Sequence, residues 1–411
     1  YYIIGQNGVR AALHKMDATG AIVWSREVED TSSWNDLIIN SDNNILLVGS
    51  LDISSGLPKD VLVGVFNTSG LQINLNSYDY FINESYNSII TNPLHVTFDT
   101  RYLVVGSANR TNNRNDDDVI VTTMNPNGGT SAAGWRKRYG SLNTDDEFHA
   151  KITLFNGVAG QLALLGKLNN QGVYVVTDAA GNVSTSLGRA FGLNVAVNDL
   201  LRTPNNEILV ASSINAPSPQ SQIIKVTSTN ANRFISRNAS LTEVYQIVHR
   251  GGNQYYALAT RTSGPVLRPC IIEFNDLGND LSYNAAWEYN NGESYMERGH
   301  LQPVSLTDFI YCDSRTNSAQ GFGMVDGFMV LHANGLDSCG LKRFNPGFNR
   351  LTYSEVIVTP PVTSESLKEP FAKTSTPVSY LTKPLCNFKC TIEITLTKND
   401  CGNVQFNCFT N

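Results

Sequence analysis

One β-hairpin pattern recurs along this chain, and its recurrence limits the possible folds more than any other feature of the sequence. The stretch "MDATGAIVW" (16–24) stands between a short apolar run and an alternating one, which is typical of two strands joined by a tight turn. Similar hairpins begin near residues 60, 118, 172, 222, 270 and 327. A second pair of strands, such as "WNDLIINSDNNILLVGS", lies between successive hairpins. The pattern predicts a four-stranded unit repeated about every 50 to 57 residues.

Seven copies of such a unit predict an all-β fold, a seven-bladed β-propeller of four-stranded antiparallel blades over residues 1–358. We name the strands of a blade A to D from the centre outward. The chain opens at strand B, because "YYIIGQ" aligns with "ILLVGS", so the first blade lacks strand A. The stretch "RLTYSEVIVTP" has no B strand after it. We therefore expect residues 350–358 to pair beside residues 1–5 and to close the ring, which removes an exposed sheet edge.

Two residue types recur at fixed places in the predicted units. Aspartates precede two C strands and glycines close three B strands: Asp60, Asp118, Gly49, Gly106 and Gly166. Through these residues the chain resembles the bacterial seven-bladed β-propeller repeat family over about residues 1–358. The resemblance implies a propeller fold.

The stretch "MDATGAIVW" is also similar to the tryptophan-docking repeat of pyrroloquinoline-quinone dehydrogenases. Other units lose the tryptophan or displace it, as at Trp135 and Trp287. We therefore interpret Trp24 as a packing residue and expect no bound cofactor.

The C-terminal part differs in composition from the repeats. Residues 359–384 are rich in Pro, Ser and Thr, which indicates an extended linker. Residues 385–411, with "CTIEITLTKNDCGNVQFNCFTN", alternate like strands and resemble the start of the PKD-type immunoglobulin-like domains that follow such propellers in large exported proteins of gliding and related Bacteroidota. This resemblance implies type 9 secretion and further C-terminal domains as partners.

The cysteines are concentrated toward the C-terminus: Cys270, Cys312, Cys339, Cys386, Cys390, Cys401 and Cys408. The last four lack the C-x-x-C spacing of a zinc ribbon and have no histidine nearby, so we predict no metal there. They favour disulfide bonds among themselves in an oxidising compartment. A bridge between Cys270 and Cys312 stays open, because both are predicted at the same face of neighbouring blades.

Charge and hydropathy exclude two classes of partner. The net charge of -6 provides no basic field for nucleic acid. No apolar run approaches the roughly 20 residues that span a bilayer, so we predict no membrane insertion. The first residues look like a strand instead of a signal peptide. We therefore expect either that a leader was removed or that the chain is a segment of a longer protein.

The sequence contains no recognisable catalytic motif. The six histidines are scattered, and none belongs to a His-Glu-x-x-His or nucleophile pattern. The polar cluster "NRTNNRNDDD" (109–118) can be a solvated loop, a partner contact or a calcium site, although the regular spacing of a calcium loop is missing. Carboxylates brought together at the centre of a propeller also stay open as an enzymatic alternative.

Loop lengths point to one face of the predicted propeller. The A–B and C–D turns are tight, as in "SDNN" and "NPNG", whereas the B–C and D–A connections over 78–86, 108–118, 213–222, 261–269, 289–298 and 313–324 are long. Long loops on a rigid scaffold usually carry recognition. The residues predicted to bind a partner there are Tyr80, Glu84, Arg110, Arg114, Asp116, Asp117, Glu293, Tyr295, Arg298 and Arg315.

Two function classes follow from these observations. The first is a non-enzymatic recognition or adhesion module, secreted or at the cell surface, that binds an extracellular protein or glycan. The second is an extracellular enzyme acting on polysaccharide, with carboxylates at the central channel. The fold class alone does not separate them.

Overall fold

A computed structural model gives the three-dimensional structure of the chain. It describes residues 1–377 except 8, 19–20, 53–58, 80–81, 96, 110–116, 131–133, 141–151, 155–160, 169–170, 185–187, 215–218, 227–232, 264–265, 279, 290–298, 307, 317–324, 333–340, 345–347, 352–355, 358–361, 365–370 and 373–374. This part contains 31 β-strands and one turn of 3-10 helix at Phe98–Thr100. The predicted all-β fold is confirmed.

The first six strands belong to one hydrogen-bonded sheet, S1. Its third strand is long and pairs with a different neighbour along each of its two halves. The strands are β1 (Tyr2–Asn7), β2 (Arg10–Met16), β3 (Ile22–Ile39), β4 (Ile45–Asp52), β5 (Lys59–Phe66) and β6 (Gln72–Tyr78). Residues 22–31 of β3 pair with β2, and residues 32–39 pair with β4. We therefore divide S1 into S1a, with β1, β2 and residues 22–31, and S1b, with residues 32–39 and β4 to β6.

Five smaller antiparallel sheets follow in chain order. S2 contains β7 (Ile82–Thr91), β8 (Tyr102–Asn109), β9 (Asp117–Met124) and β10 (Arg136–Tyr139). S3 contains β11 (Ile152–Leu154), β12 (Gln161–Leu168), β13 (Gln171–Asp178) and β14 (Arg189–Leu193). S4 contains β15 (Val195–Arg202), β16 (Ile208–Ile214), β17 (Gln220–Val226) and β18 (Arg233–Asn238). S5 contains β19 (Glu243–Gly251), β20 (Gln254–Ser263), β21 (Val266–Asp276) and β22 (Leu281–Tyr289), and S6 contains β23 (His300–Pro303), β24 (Phe309–Thr316) and β25 (Val325–His332).

Successive sheets pack face to face, and the two-residue period of the strands supplies a packing face on each side. In β8, Tyr102 and Val104 enter the core shared with S1b, whereas Leu103 and Val105 enter the core shared with S3. A shared hydrophobic core likewise lies between S1a and S1b, between S3 and S4, between S4 and S5, and between S5 and S6. Small antiparallel sheets that each pack on the next form a propeller arrangement.

The predicted number of seven separate blades is not found as seven sheets. The described residues form six hydrogen-bonded sheets, of which five have at least five strands and S6 has three. In S1, β3 runs without interruption from S1a into S1b.

The inner strands β3, β7, β15 and β19 share a β-bulge at the same place in the repeat. The bulges lie at Trp34/Asp36, Tyr86/Ser88, Val197/Asp199 and Val244/Gln246. A bulge bends the strand toward its neighbour. A Cβ on Gly49 would lie 1.9 Å from the carbonyl oxygen of Ser33, and a Cβ on Gly106 would lie 1.8 Å from that of Ser85. The glycines that close these two B strands are therefore required by the bulged inner strands.

Side chains at the bulges tie each inner strand to the next. Asp36 Oδ2 accepts a hydrogen bond from the Ile89 backbone N–H at 3.0 Å, and Asp199 Oδ2 accepts one from Ile247 N–H at 2.8 Å. Asn198 Nδ2 donates to the Val244 carbonyl at 2.7 Å. These bonds satisfy backbone groups and fix the spacing of neighbouring sheets.

A C-terminal segment runs along the outer edges of the sheets in reverse chain order. Its strands are β26 (Leu341–Phe344), β27 (Asn349–Leu351), β28 (Val356–Ile357), β29 (Val362–Ser364), β30 (Phe371–Ala372) and β31 (Ser375–Pro377). They pair with β22, β18, β14, β10, β6 and β3 respectively. We call residues 341–377 the strap.

The strap corrects the predicted ring closure. Residues 350–358 were expected beside residues 1–5, but Asn349–Leu351 pairs with β18 and Val356–Ile357 pairs with β14. Outer edge strands offer unpaired backbone N–H and C=O groups, which the extended segment satisfies. Part of the predicted linker 359–384 is also paired, in β29 to β31. Residues 385–411, predicted as an immunoglobulin-like start, lie outside the described residues.

Candidate binding face

The turns at one end of the sheets are tight and share a hydrogen-bond pattern. The side-chain oxygen of the first turn residue accepts from the backbone N–H groups two and four residues later. This occurs at Asn40, Asn67, Asn125 and Asp178. Asn and Asp favour such turns because their short side chains mimic a backbone acceptor. These predicted tight turns are confirmed, and we call this end the tight-turn face.

The opposite end, the long-loop face, carries connections of unequal length. The β8–β9, β22–β23 and β24–β25 connections span 110–116, 290–299 and 317–324. The predicted long loop at 261–269 is wrong, because β20 and β21 continue to pair as far as Ser263 and Val266. The predicted loop at 78–86 is also shorter, since β6 ends at Tyr78 and β7 begins at Ile82.

Of the ten predicted binding residues, three lie in described strands. Glu84 lies in β7, Asp117 begins β9 opposite Asn109, and Arg315 lies in β24 opposite Asp326. The other seven lie outside the described residues: Tyr80, Arg110, Arg114, Asp116, Glu293, Tyr295 and Arg298.

The prediction that Glu84 is an exposed residue that binds a partner is wrong. Its side chain is 0% exposed, and Oε1 lies 3.9 Å from Nη2 of Arg136, which is also fully buried. A bulge in β7 between Ile82 and Glu84 shifts the register there. Sequence alone placed Glu84 in a loop because the predicted loop extends to residue 86, whereas β7 begins at Ile82.

A second ion pair lies on the same sheet, beneath the β8–β9 loop. Arg138 Nη1 lies 3.2 Å from Asp118 Oδ2, and the Asp118 side chain is fully buried. Removing one partner of a buried pair leaves an uncompensated charge, which typically costs about 3–5 kcal/mol. The two pairs therefore anchor the base of the 110–116 loop to the core of S2.

A related cluster lies in S5 at the long-loop face. Arg261 and Arg268 stand opposite each other in the β20–β21 ladder, and each donates to one oxygen of the buried Glu288, at 2.8 and 2.9 Å. Arg261 also stacks 4.9 Å above the ring of Phe344 in the strap. Sequence reasoning missed this cluster, although the spacing of the two arginines around "TSGPVL" is what a hairpin would bring together.

A small cleft of about 190 Å³ lies at the same face, where S1a meets S1b. It is lined by Val9, Thr31, Ser32, Ser33, Ser50, Asp52 and Lys59. The Ser33 and Ser50 hydroxyl oxygens are 2.9 Å apart, and Lys59 Nζ lies 3.6 Å from Asp52 Oδ1. The lining is therefore polar, with hydroxyl groups and one ion pair.

The described part of the chain shows little that resembles a catalytic centre. His14 Nδ1 lies 2.8 Å from Ser25 Oγ, but Ser25 is 3% exposed and burial lowers the pKa of His14. Burial also raises the pKa of the Cys270 thiol above its usual range, which keeps it protonated. Among these residues no group of three or more His, Cys, Asp or Glu side chains is placed to hold a metal ion.

The structure describes two of the seven cysteines. Cys270 is buried and Cys312 is partly buried, and no bridge joins them. The open prediction of a Cys270–Cys312 disulfide is therefore not borne out. The other five cysteines lie outside the described residues.

Comparison with known proteins gives only a distant structural likeness. No family model matches the chain, and no curated protein matches it. A solved protein from Lactobacillus plantarum is similar in structure, with a TM-score of 0.48 and 9% identity over 83% of this chain and 96% of that chain. No helix within the described ranges is long and apolar enough to cross a membrane.

Proposed function

We propose that the chain is a non-enzymatic recognition or adhesion module that acts outside the cell and binds through its long-loop face. The observation that carries the proposal is the difference between the two ends of the sheets. The tight-turn face is built from short turns closed by their own Asn and Asp side chains. The long-loop face carries the longer connections, and two buried ion pairs lie beneath one of them, 110–116.

The proposed architecture is a seven-bladed propeller of the bacterial repeat type. The proposal treats S1a and S1b as two blades, because each has its own ladder and a hydrophobic core lies between them. In this proposal the propeller belongs to a larger exported surface protein, and the C-terminal residues lead into its further domains.

The proposed partner is an extracellular protein or glycan. Tyr and Arg anchor interfaces well because each buries a large surface and keeps a directional polar tip. The candidate anchors are Tyr80, Arg110, Arg114, Tyr295, Arg298 and Arg315, to which Arg261 is now added. Arg261 is 35% exposed and is held in place by Glu288 and Phe344.

The test is an array that carries printed glycans and purified extracellular-matrix proteins, with a hydrolysis assay on the same polysaccharides. We expect saturable binding to one class of ligand, weakened by salt where arginines contribute, and no release of reducing ends. Turnover of a polysaccharide with weak binding would instead support the alternative, an extracellular polysaccharide-active enzyme.

A further inference from the structure

A buried lysine lies between S4 and S5, next to two carboxylates. Lys225 belongs to β17 and stands in the apolar run Ile223–Val226. The two-residue period of the strand places its side chain on the same face as that of Ile223, which enters the core between S4 and S5. The Lys225 side chain is 0% exposed. A lysine is seldom buried so completely unless acidic groups accompany it.

Asp276 and Glu207 are the acidic groups that contact this lysine. Asp276 ends β21 in S5, and Lys225 Nζ donates a hydrogen bond to its Oδ1. Glu207 directly precedes β16 of S4, and its Oε2 lies 2.7 Å from the same Nζ. Nζ also donates to the Gly278 carbonyl at 2.6 Å. One amine is therefore in contact with two carboxylates, one from each side of the boundary between S4 and S5.

The surroundings of the cluster are aromatic and contain little water. Tyr255 is 1% exposed and belongs to the core between S4 and S5. Burial raises the pKa of Tyr255 to about 12, and the negative charges of Asp276 and Glu207 add to the rise. The Oδ2 atom of Asp276 is buried and has no hydrogen-bond partner among the described residues. Charged groups are costly in such a place, which favours their conversion to neutral ones.

We propose that Lys225 and Asp276 form an isopeptide bond between S4 and S5, and that Glu207 carries the proton in this reaction. One proton passes from the Lys225 ammonium to the Asp276 carboxylate, which gives an amine and a carboxylic acid. Nζ then attacks Cγ, and Glu207 takes one proton from Nζ and returns it to the departing hydroxyl group. The Nζ–Cγ bond forms, the Cγ–Oδ2 bond breaks and one water molecule leaves. The reaction needs no oxidant and no other reactant.

Gly278 contacts both reacting groups. Its backbone N–H donates to Asp276 Oδ1 at 2.9 Å, so it stabilises the negative charge that this oxygen carries in the tetrahedral intermediate. Its carbonyl accepts from Nζ, which keeps one hydrogen in the amide. The hydrogen bond from Lys225 to Asp276 already brings amine and carboxyl group into contact, as attack on the carbon requires.

The bond also removes two charges from a buried place. The ionised cluster contains one ammonium group and two carboxylates. After the reaction only Glu207 is ionised, and its side chain is 13% exposed, whereas those of Lys225 and Asp276 are 0% and 1% exposed. Replacing a buried ion pair by a neutral group removes its desolvation cost. The amide would join positions that are 51 residues apart in the chain and would link the two sheets covalently in any redox environment.

The first experiment measures the mass of the full chain after reduction and unfolding. We expect the chain to be lighter than its sequence requires by the mass of one water molecule. Tryptic mapping should then find one branched peptide in which Lys225 is joined to Asp276, without cleavage after Lys225. A chain of full mass that is cleaved after Lys225 overturns the proposal, because the cluster is then an ion pair only. This measurement needs no variant, so it decides the question even where a variant does not fold.

The second experiment tests the role of Glu207. Glu207→Gln keeps the shape of the side chain but accepts no proton. The branched peptide should be lost or strongly reduced, because proton transfer by a well-placed group typically contributes about 100-fold or more to a rate. Glu273→Gln is the matched control and should keep the branched peptide, since Glu273 is 18% exposed and pairs with Arg250.

Circular dichroism of both variants shows whether they fold as the unchanged chain does. An undiminished branched peptide in folded Glu207→Gln overturns the role of Glu207. Its equal loss in Glu207→Gln and Glu273→Gln does the same, because the effect is then not specific to the carboxylate that contacts Lys225. Neither experiment depends on the proposed ligand or on the proposed binding face.

Discussion

Two tryptophans connect neighbouring sheets through the same pair of contacts. Trp24 Nε1 donates to the Thr68 carbonyl, and its ring lies 2.8 Å from the place of a Cβ on Gly70. Trp135 Nε1 donates to the Ala179 carbonyl, and its ring lies 2.8 Å from the place of a Cβ on Gly181. Trp24 is a packing residue, as predicted. Each ring closes over the C–D turn of the next sheet.

Gly181→Ala tests this contact. Gly181 has φ +76°, a conformation that costs an L side chain about 1–2 kcal/mol. The added methyl also displaces Trp135, for about 1–3 kcal/mol more by overpacking. Gly278→Ala is the matched control, since Gly278 has φ +82° and nothing within 4 Å of its added Cβ. We expect urea unfolding to show a larger loss of stability for Gly181→Ala, and equal losses would contradict the contact.

At the level of single residues, the sequence identified the glycines that recur in each repeat, but it did not identify the charged side chains that are buried. Gly49 and Gly106 were recognised as recurring residues, and the structure supplies their reason in the bulged inner strands. Glu84 was placed on the surface because carboxylates are usually exposed. Its partner Arg136 is 52 residues away in sequence, and no local pattern relates the two.

The inner strand of a sheet attaches that sheet to the next one along the chain. Asp199 is 1% exposed and accepts hydrogen bonds at 2.8 Å from the backbone N–H groups of Leu200 and Ile247. The hydrogen bond from Leu200 stabilises the bulge of β15, in which Asp199 lies. The hydrogen bond from Ile247 links β15 to the next inner strand, β19. This pattern repeats at Asp36 with Leu37 and Ile89.

The substitution Asp199→Ala should therefore strongly lower the free energy of unfolding of the protein. It leaves two backbone N–H groups without their acceptor, at about 1–3 kcal/mol each. Asn198→Ala is the control, because it removes one hydrogen bond of a half-buried side chain and should cost about 0.5–1.5 kcal/mol. Chemical denaturation followed by circular dichroism measures both midpoints. A smaller effect for Asp199→Ala than for Asn198→Ala would refute this role.

At the element level the sequence predicted the hairpins well and the strap poorly. Both faces of the strands in S1 to S5 are buried, so these strands are visible in the sequence as short apolar runs bounded by turn residues. The strap strands contain two to four residues each and pair by backbone groups that any sequence possesses. Such short pairings leave no periodic signal, so residues 359–377 were taken for linker.

The two ends of the sheets differ, and we propose that the long-loop face binds the partner. Arg110→Ala, Tyr295→Ala and Arg315→Ala are combined in one variant. Asp42→Ala, Asn127→Ala and Asn205→Ala, three exposed residues of the tight-turn face, form the matched control. The tight-turn variant should keep a Tm close to that of the unchanged chain, because substitutions of exposed residues usually alter stability by less than about 0.5 kcal/mol. The Tm of the long-loop variant is measured with it and should also stay close to that of the unchanged chain.

The measurement is the Kd of each variant, by surface plasmon resonance, for the array ligand that the unchanged chain binds best. Each interface anchor typically contributes more than about 1 kcal/mol, so the long-loop variant should bind at least about 100-fold more weakly. The tight-turn variant should bind as the unchanged chain does. Binding that survives in the long-loop variant and is lost in the tight-turn variant would contradict the assignment of the binding face.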